Sequence, residues 1–275
     1  MIRLLNKITA VAAIAIFTAG CQQQLPTAQG HMETSAVVAS LQWPLAASSQ
    51  AGFTKVVFQV TAKDMDTLKQ ELLPEAGQVE TVLKVPSGSN RIFSVTAFKN
   101  TTAVMAGVDT LNLAGGSKVT LSLKMNFIYP AITLSPLEKT VAVNDTFSVY
   151  FKVHKVDSLS GVGVLLTYDN TKLEAQELGR EDAFLSGNGG AIVQLQFSRD
   201  AARGRIHLIL GLIGSKQAVS GAGLVGRVRF KALAGNTTSE LTLVADPLVD
   251  SNLGLLNNKG AYLNAFALGS KIICR

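Results

Sequence analysis

The residues able to do chemistry are few and scattered. Three histidines, His31, His154 and His207, stand far apart, with neither the helical spacing nor the neighbouring cysteines that a zinc site uses. No Gly-x-Ser-x-Gly elbow and no Asp-x-Asn-x-Asp-Gly calcium loop occurs. Glu181-Asp182 is an acidic pair, but adjacent carboxylates read first as a solvated loop, and spacing does not show two acids facing a sugar across a cleft. Gly221-x-Gly223-x-x-Gly226 formally satisfies the dinucleotide fingerprint. That fingerprint needs a following helix to receive the pyrophosphate, whereas Arg227 to Lys231 alternates at period two and predicts a strand. These residues predict no catalytic centre, no cofactor and no metal.

The elements that carry them begin with an export segment. Arg3 and Lys7 precede an apolar run from Ile8 to Phe17, broken only by Thr9, and Thr18-Ala19-Gly20 stands directly before Cys21. The run is too short to span a hydrocarbon core of ~30 Å. The small triplet before a cysteine resembles the bacterial lipobox, although Thr18 stands where Leu is more common; an ordinary secretory signal is the alternative. The resemblance implies that residues 1–20 are removed, that Cys21 is lipidated, and that the protein sits in the cell envelope. Each buried acyl CH₂ then contributes about 0.8 kcal/mol to anchoring. Gln22, rather than Asp, implies the outer membrane or cell surface. With Cys21 acylated, Cys274 has no partner within the chain, which leaves an incidental thiol or an intermolecular bridge.

Composition bounds the rest. Of 275 residues, 47% are hydrophobic and 16% charged, which excludes a disordered chain, and the net charge is +6. Loss of Arg3 and Lys7 lowers that to +4, too little for nucleic-acid binding and in the wrong compartment for it. Residues 21–35, opening on Gln22-Gln23-Gln24, read as a flexible tether.

Beyond the tether, alternation predicts an all-β chain of two sandwiches. Phe93, Val95 and Ala97 share one face, and Val119, Leu121, Leu123 and Met125 another. Only Met65 to Leu73, with Met65, Leu68 and Leu72 at spacings of three and four, predicts a short helix. A boundary falls at Asn126 to Pro130, giving domains at 36–127 and 131–275. The first resembles an immunoglobulin-like sandwich along Val85-Pro86-Ser87-Gly88, Phe93 to Ala97 and Leu111 to Gly116. Trp43 reads either as its buried anchor or as an exposed sugar-stacking ring.

The second domain resembles a cohesin module. The likeness runs through Ile132 to Pro136, Thr146 to Val153, Gly161 to Asp169, Leu173-Glu174, Gly204 to Leu210, Gly221 to Phe230 and Leu241 to Asp250. It implies a nine-stranded jelly roll in which Phe147 to Val153 pairs with Gly226 to Leu233. Tyr150, Lys152 and His154 would then face outward beside Arg227, Arg229 and Lys231 as one basic face, suited to anionic glycan or lipid headgroups. It implies further that the opposite sheet is the docking face. By alternation that face shows Leu165, Thr167, Gln194, Gln196, Arg205, His207, Ile209, Thr242 and Val244. The implied function is a non-catalytic surface protein that docks a dockerin-bearing or envelope protein, in polysaccharide degradation. The alternative is a carbohydrate-binding module that takes polysaccharide directly. Against it, the second domain has no Trp and only Tyr150, Tyr168 and Tyr262 to form an aromatic platform.

Overall fold

Strands form wherever apolar residues recur at every second position, and their pairing decides which side of each residue meets water. The structure, a computed structural model, describes residues 34–42, 53–73, 80–214 and 218–275. The export segment, Cys21, tether residues 21–33 with His31, and Trp43 therefore lie outside the described residues, whereas Thr34 and Ser35, expected in the tether, pair with Pro86 and Val85 as the start of a strand. Among the described residues no helix is long and apolar enough to cross a membrane.

In the N-terminal half, β1 (Thr34–Gln42) lies between β4 (Glu80–Pro86), antiparallel to it, and β7 (Lys118–Lys124), parallel to it. A second sheet runs in the order β3 (Met65–Leu72), β2 (Lys55–Ala62), β5 (Gly88–Lys99), β6 (Thr102–Leu113), β8 (Asn126–Phe127). Both sheets turn side chains into one core, with Val37, Leu83 and Leu123 from the first against Phe58, Phe93 and Val95 from the second.

The helix expected at Met65 to Leu73 is instead β3. Its pairing shows why the spacing misleads: Val60 lies opposite Leu68 and Ala62 opposite Met65, so three residues of β3 oppose two of β2. This bulge adds one residue between Met65 and Leu68, and the strand imitates a helical interval. Met65, Leu68 and Leu72 all pack against the core.

At one end of this sandwich Arg91 is fully buried at the first inward position of β5. Its Nε donates to the Pro86 carbonyl at 2.9 Å, its Nη2 to the Ser87 carbonyl, and both terminal nitrogens to the Asp64 carboxylate. The guanidinium thereby joins the β2–β3 turn to the β4–β5 corner, and the hydrogen bond holds the Asp64 carboxyl below the usual carboxylate range. Gly88, at φ +146°, leaves room for it, since a Cβ there would overlap the guanidinium.

The C-terminal half is organised by β11 (Thr146–Thr167), a strand of 22 residues that serves two sheets. Its first part, residues 146–154, pairs with β9 (Ala131–Ser135) and β15 (Val219–Ala232). β12 (Leu173–Arg180) extends this sheet beyond β15, and β19 (Phe266–Leu268) extends it beyond β9. Lys155 and Ser158, at φ 50° and 52°, then turn the chain through a stretch of shifted register. Its second part, residues 161–167, lies in the other sheet, ordered β10 (Glu138–Val141), β20 (Ser270–Cys274), β16 (Thr237–Val244), β11, β14 (Arg205–Ile213), β13 (Ala191–Asp200). The ribbon of β17 (Gly254–Asn257) and β18 (Tyr262–Leu263) continues the line of β16 along β11.

Phe147, Val149, Phe151 and Val153 from one sheet meet Val164, Leu166 and Leu208 from the other in the core. Burying each such side chain contributes about 1.5–3 kcal/mol. The pairing of Phe147 to Phe151 with Gly226 to Phe230 is present in register. The strand at Leu241 ends at Val244, short of the Asp250 expected. All three fingerprint glycines lie inside β15, and a Cβ on Gly223 would overlap the Phe184 ring of α1 (Asp182–Leu185), so close packing explains that glycine. Cys274 is a buried free thiol in β20, and burial pushes its pKa up. An intermolecular disulfide there would require the strand to leave the core.

The halves share a seam. Ala131, Phe266 and Leu268 belong to strands of the second half, yet their side chains join the first core. Phe266 lies 5.1 Å from Phe53 between ring centroids and 6.5 Å from Phe127.

Replacing Arg91 by Met is expected to lower unfolding free energy by about 3 kcal/mol, because the Pro86 and Ser87 carbonyls lose their donor. Urea denaturation of the variant measures this, and an unchanged midpoint would show that the guanidinium does not tie the corner.

Candidate docking face

On the outer side of the second sheet, register sets side chains in rows across four strands. Val244 of β16 pairs with Leu165 of β11, Leu165 with His207 of β14, and His207 with Ser198 of β13. The next row is Thr242, Thr167, Arg205 and Asp200, and Ile209 stands beside Gln196. Eight of the nine residues expected on this face are thus brought together: Leu165, Thr167, Gln196, Arg205, His207, Ile209, Thr242 and Val244.

Gln194 is the exception. A bulge between Gln194 and Gln196 takes one residue out of register, so Gln194 pairs with Leu210, whose side chain belongs to the core. The extra residue, Leu195, is 70% exposed on an edge strand. Strict alternation cannot register an inserted residue, which is why Gln194 was placed with Gln196.

Alternation also missed the loop of residues 245–253. It leaves the sheet at Val244 and returns at Gly254, opposite Gly163 of β11. Its Asn252 carbonyl lies where a Cβ of Gly163 would stand, so the loop folds over the outer side of the strand. Asp246 and Asp250 brace it, accepting hydrogen bonds from the N–H groups of Leu248 at 2.9 Å and Asn252 at 2.8 Å. The braced loop presents Leu248, 93% exposed, and Val249 at the border of the row that holds Leu165. The sequence signal was present in Asp246-x-Leu248 and Asp250-x-Asn252, because Asp two residues ahead of a turn N–H forms such loops. The face therefore has isolated apolar anchors among polar groups, with Arg205 and Asp200 at one end, a mixed composition like that of protein interfaces.

The basic face is corrected by its neighbours. Arg227, Arg229 and Lys231 do point outward beside Tyr150 and Lys152, but β12 brings an acidic row alongside them. Glu174 stands opposite Lys231, and Glu177 opposite Arg229. The Glu177 carboxylate lies 3.1 Å from Arg227 Nη2 and 3.9 Å from Arg229 Nη1, and Glu181 lies 3.9 Å from Arg227. Arg227 reaches them by crossing Gly179, where a Cβ would stand 2.7 Å from its Nε. The result is an exposed mixed-charge ladder rather than a cationic surface, and such exposed pairs contribute roughly 0–1 kcal/mol each. Glu181-Asp182 is likewise structural, since Asp182 pairs with Arg180.

His154 stays on the outward side of β11 but is covered there. Its ring packs 4.4 Å from Phe127, and its Nε2 lies 3.0 Å from Thr133 Oγ1. Burial, with the Lys152 ammonium adding to it, pushes the His154 pKa down to about 4, so the imidazole is neutral. Among the described residues no group of three His, Cys, Asp or Glu side chains could hold a metal ion.

No protein family matches the chain, and no curated protein does. Solved cohesin structures resemble it. A type II cohesin–X-dockerin complex from Acetivibrio cellulolyticus matches at 16% identity and TM-score 0.44, covering 53% of this chain and 99% of its own. The second type II cohesin module of a cellulosomal adaptor scaffoldin from the same organism matches at 17% identity and TM-score 0.43, covering 52% and 95%. A non-cellulosomal cohesin from the hyperthermophilic archaeon Archaeoglobus fulgidus matches at 14% identity and TM-score 0.40, covering 54% and 91%.

The seam at His154 predicts a pH dependence of stability. Above about pH 6.5 the imidazole is neutral in both states; as pH falls from there towards 4, the unfolded chain takes up a proton that the folded one refuses. Stability is expected to fall across that window, and His154→Gln should remove this component, as thermal melts at stepped pH would show. Identical pH profiles for the two proteins would contradict a buried neutral imidazole.

Proposed function

We propose that this chain is a non-catalytic, lipid-anchored protein of the cell envelope that docks a protein partner on the outer face of the sheet containing Leu165. The observation that carries the reading is the row Val244, Leu165, His207 and Ser198, held in hydrogen-bonded register across four strands and bordered by Leu248 and Val249. Rigid strands hold the anchors in place, so little side-chain order is lost on binding. The polar groups between them can set the partner's register through hydrogen bonds.

The sequence resemblance to cohesins supports a dockerin-bearing partner, and with it a role in polysaccharide degradation. The lipobox-like Thr18-Ala19-Gly20-Cys21 supports anchoring through acylated Cys21 at the outer membrane or cell surface. The division of labour would be simple: the lipid holds the chain at the membrane, residues 36–127 set its distance, and residues 131–275 receive the partner.

The test is capture from the parent cell's secretome with the immobilised full chain. A protein retained at defined stoichiometry should be displaced by free chain, and Leu165→Arg should weaken it about thirtyfold or more, as loss of a central anchor does. Retention of the same protein by a folded Leu165→Arg variant would move the docking site elsewhere.

A further inference from the structure

A pocket of about 260 Å³ opens where the two halves meet. One wall is the tip of the β5–β6 hairpin, where Lys99 pairs with Thr102 and Asn100-Thr101 makes the turn, with Asn100 at φ 55°. Asn264 and Ala265, between β18 and β19, make the other wall together with Tyr129, and the buried Phe266 ring lies behind them. The Lys99 ammonium sits 5.2 Å from the centroid of that ring.

The side chains of Asn100, Thr101, Thr102, Tyr129 and Asn264 make no hydrogen bond to any described residue, and Lys99 has no ion pair with one. Two amides, two threonine hydroxyls and a phenol, each able to donate or accept, therefore converge with one ammonium and one aromatic ring. Among the described residues no carboxylate lines the pocket. Past Lys99, Asn264 and Ala265 it continues into a cleft of about 600 Å³ that reaches Tyr262 and Leu248. Among the described residues the one acid lining that cleft is Asp246, which already accepts the Leu248 N–H.

We propose that this pocket binds a sugar residue bearing a carboxylate, within a polysaccharide chain whose next residues lie in the adjoining cleft. The amides and hydroxyls match the vicinal hydroxyls of a pyranose, and Lys99, held over the buried Phe266 ring, takes the carboxylate. The junction of two sandwiches is where such concave sites form, because neither half alone can enclose a ligand. The pocket lies outside the docking face, and the adjoining cleft meets that face at Val244 and Leu248. It would place the carrier of a docked partner directly on an acidic glycan.

The experiment is calorimetric titration of the full chain with trigalacturonate, its methyl-ester counterpart and galacturonic acid monomer. Saturable binding of trigalacturonate is expected, weaker for the monomer, which occupies the pocket alone. The ester should bind about tenfold more weakly or worse, as loss of a hydrogen bond to a charged group implies. Lys99→Gln should weaken trigalacturonate to the level of the ester while leaving the ester unchanged, and Asn264→Ala should weaken both. Leu165→Arg should change none of these. Absence of saturable binding, equal affinity for acid and ester, or binding indifferent to Lys99→Gln but lost in Arg229→Ser would each overturn the proposal. Lys99 is a hairpin-tip side chain, so its variant keeps the test valid even if Asn264→Ala loses stability, which thermal melting would reveal.

Discussion

One strand, β11, ties the C-terminal half together, because its 22 residues belong to both sheets. The first part puts Phe147, Val149, Phe151 and Val153 into the core from one side, and the second puts Val162, Val164 and Leu166 in from the other. A single bend at Lys155 to Ser158 sets the phase between them. Because side chains alternate strictly between bends, fixing the core residues fixes their neighbours outward: Tyr150 and Lys152 on one face, Leu165 and Thr167 on the other. The docking face is in this sense a by-product of core packing.

What each outer face becomes depends on the strands laid beside β11. On the first sheet β15 brings arginines, and β12 answers with Glu174 and Glu177, so charge is cancelled locally. On the second sheet β14 and β16 bring His207, Ile209, Thr242 and Val244, and charge meets charge only at the end of the face, where Asp200 lies opposite Arg205 and pairs with Arg203. The same strand thus presents a self-satisfied face and a face with unused binding capacity. The two faces also differ in rigidity of approach, since the loop braced by Asp246 and Asp250 flanks only the second.

Much of this was legible in the sequence wherever alternation ran unbroken. Phe147 to Val153, Arg227 to Lys231 and Leu165 to Thr167 could be assigned to faces from residue type alone, since period two leaves no freedom once the apolar side is known. Bulges defeated the same logic at Met65 to Leu68 and at Leu195, where one inserted residue imitated a helix in the first case and shifted a face in the second. Long-range partners were not legible at all. Glu177 lies 50 residues from Arg227, and His154 meets Phe127 across the seam between halves. Nothing in the sequence singles out Arg91, because its role comes from carbonyls turned inward at Pro86 and Ser87.

The central claim, that the face carrying Leu165 is where a protein partner sits, is tested most directly by a photo-crosslinking amino acid placed in living parent cells at Leu165 and, separately, at Tyr150 on the opposite sheet. The account predicts a discrete protein adduct from position 165 and none from position 150. An adduct from position 150 with none from position 165 would contradict it.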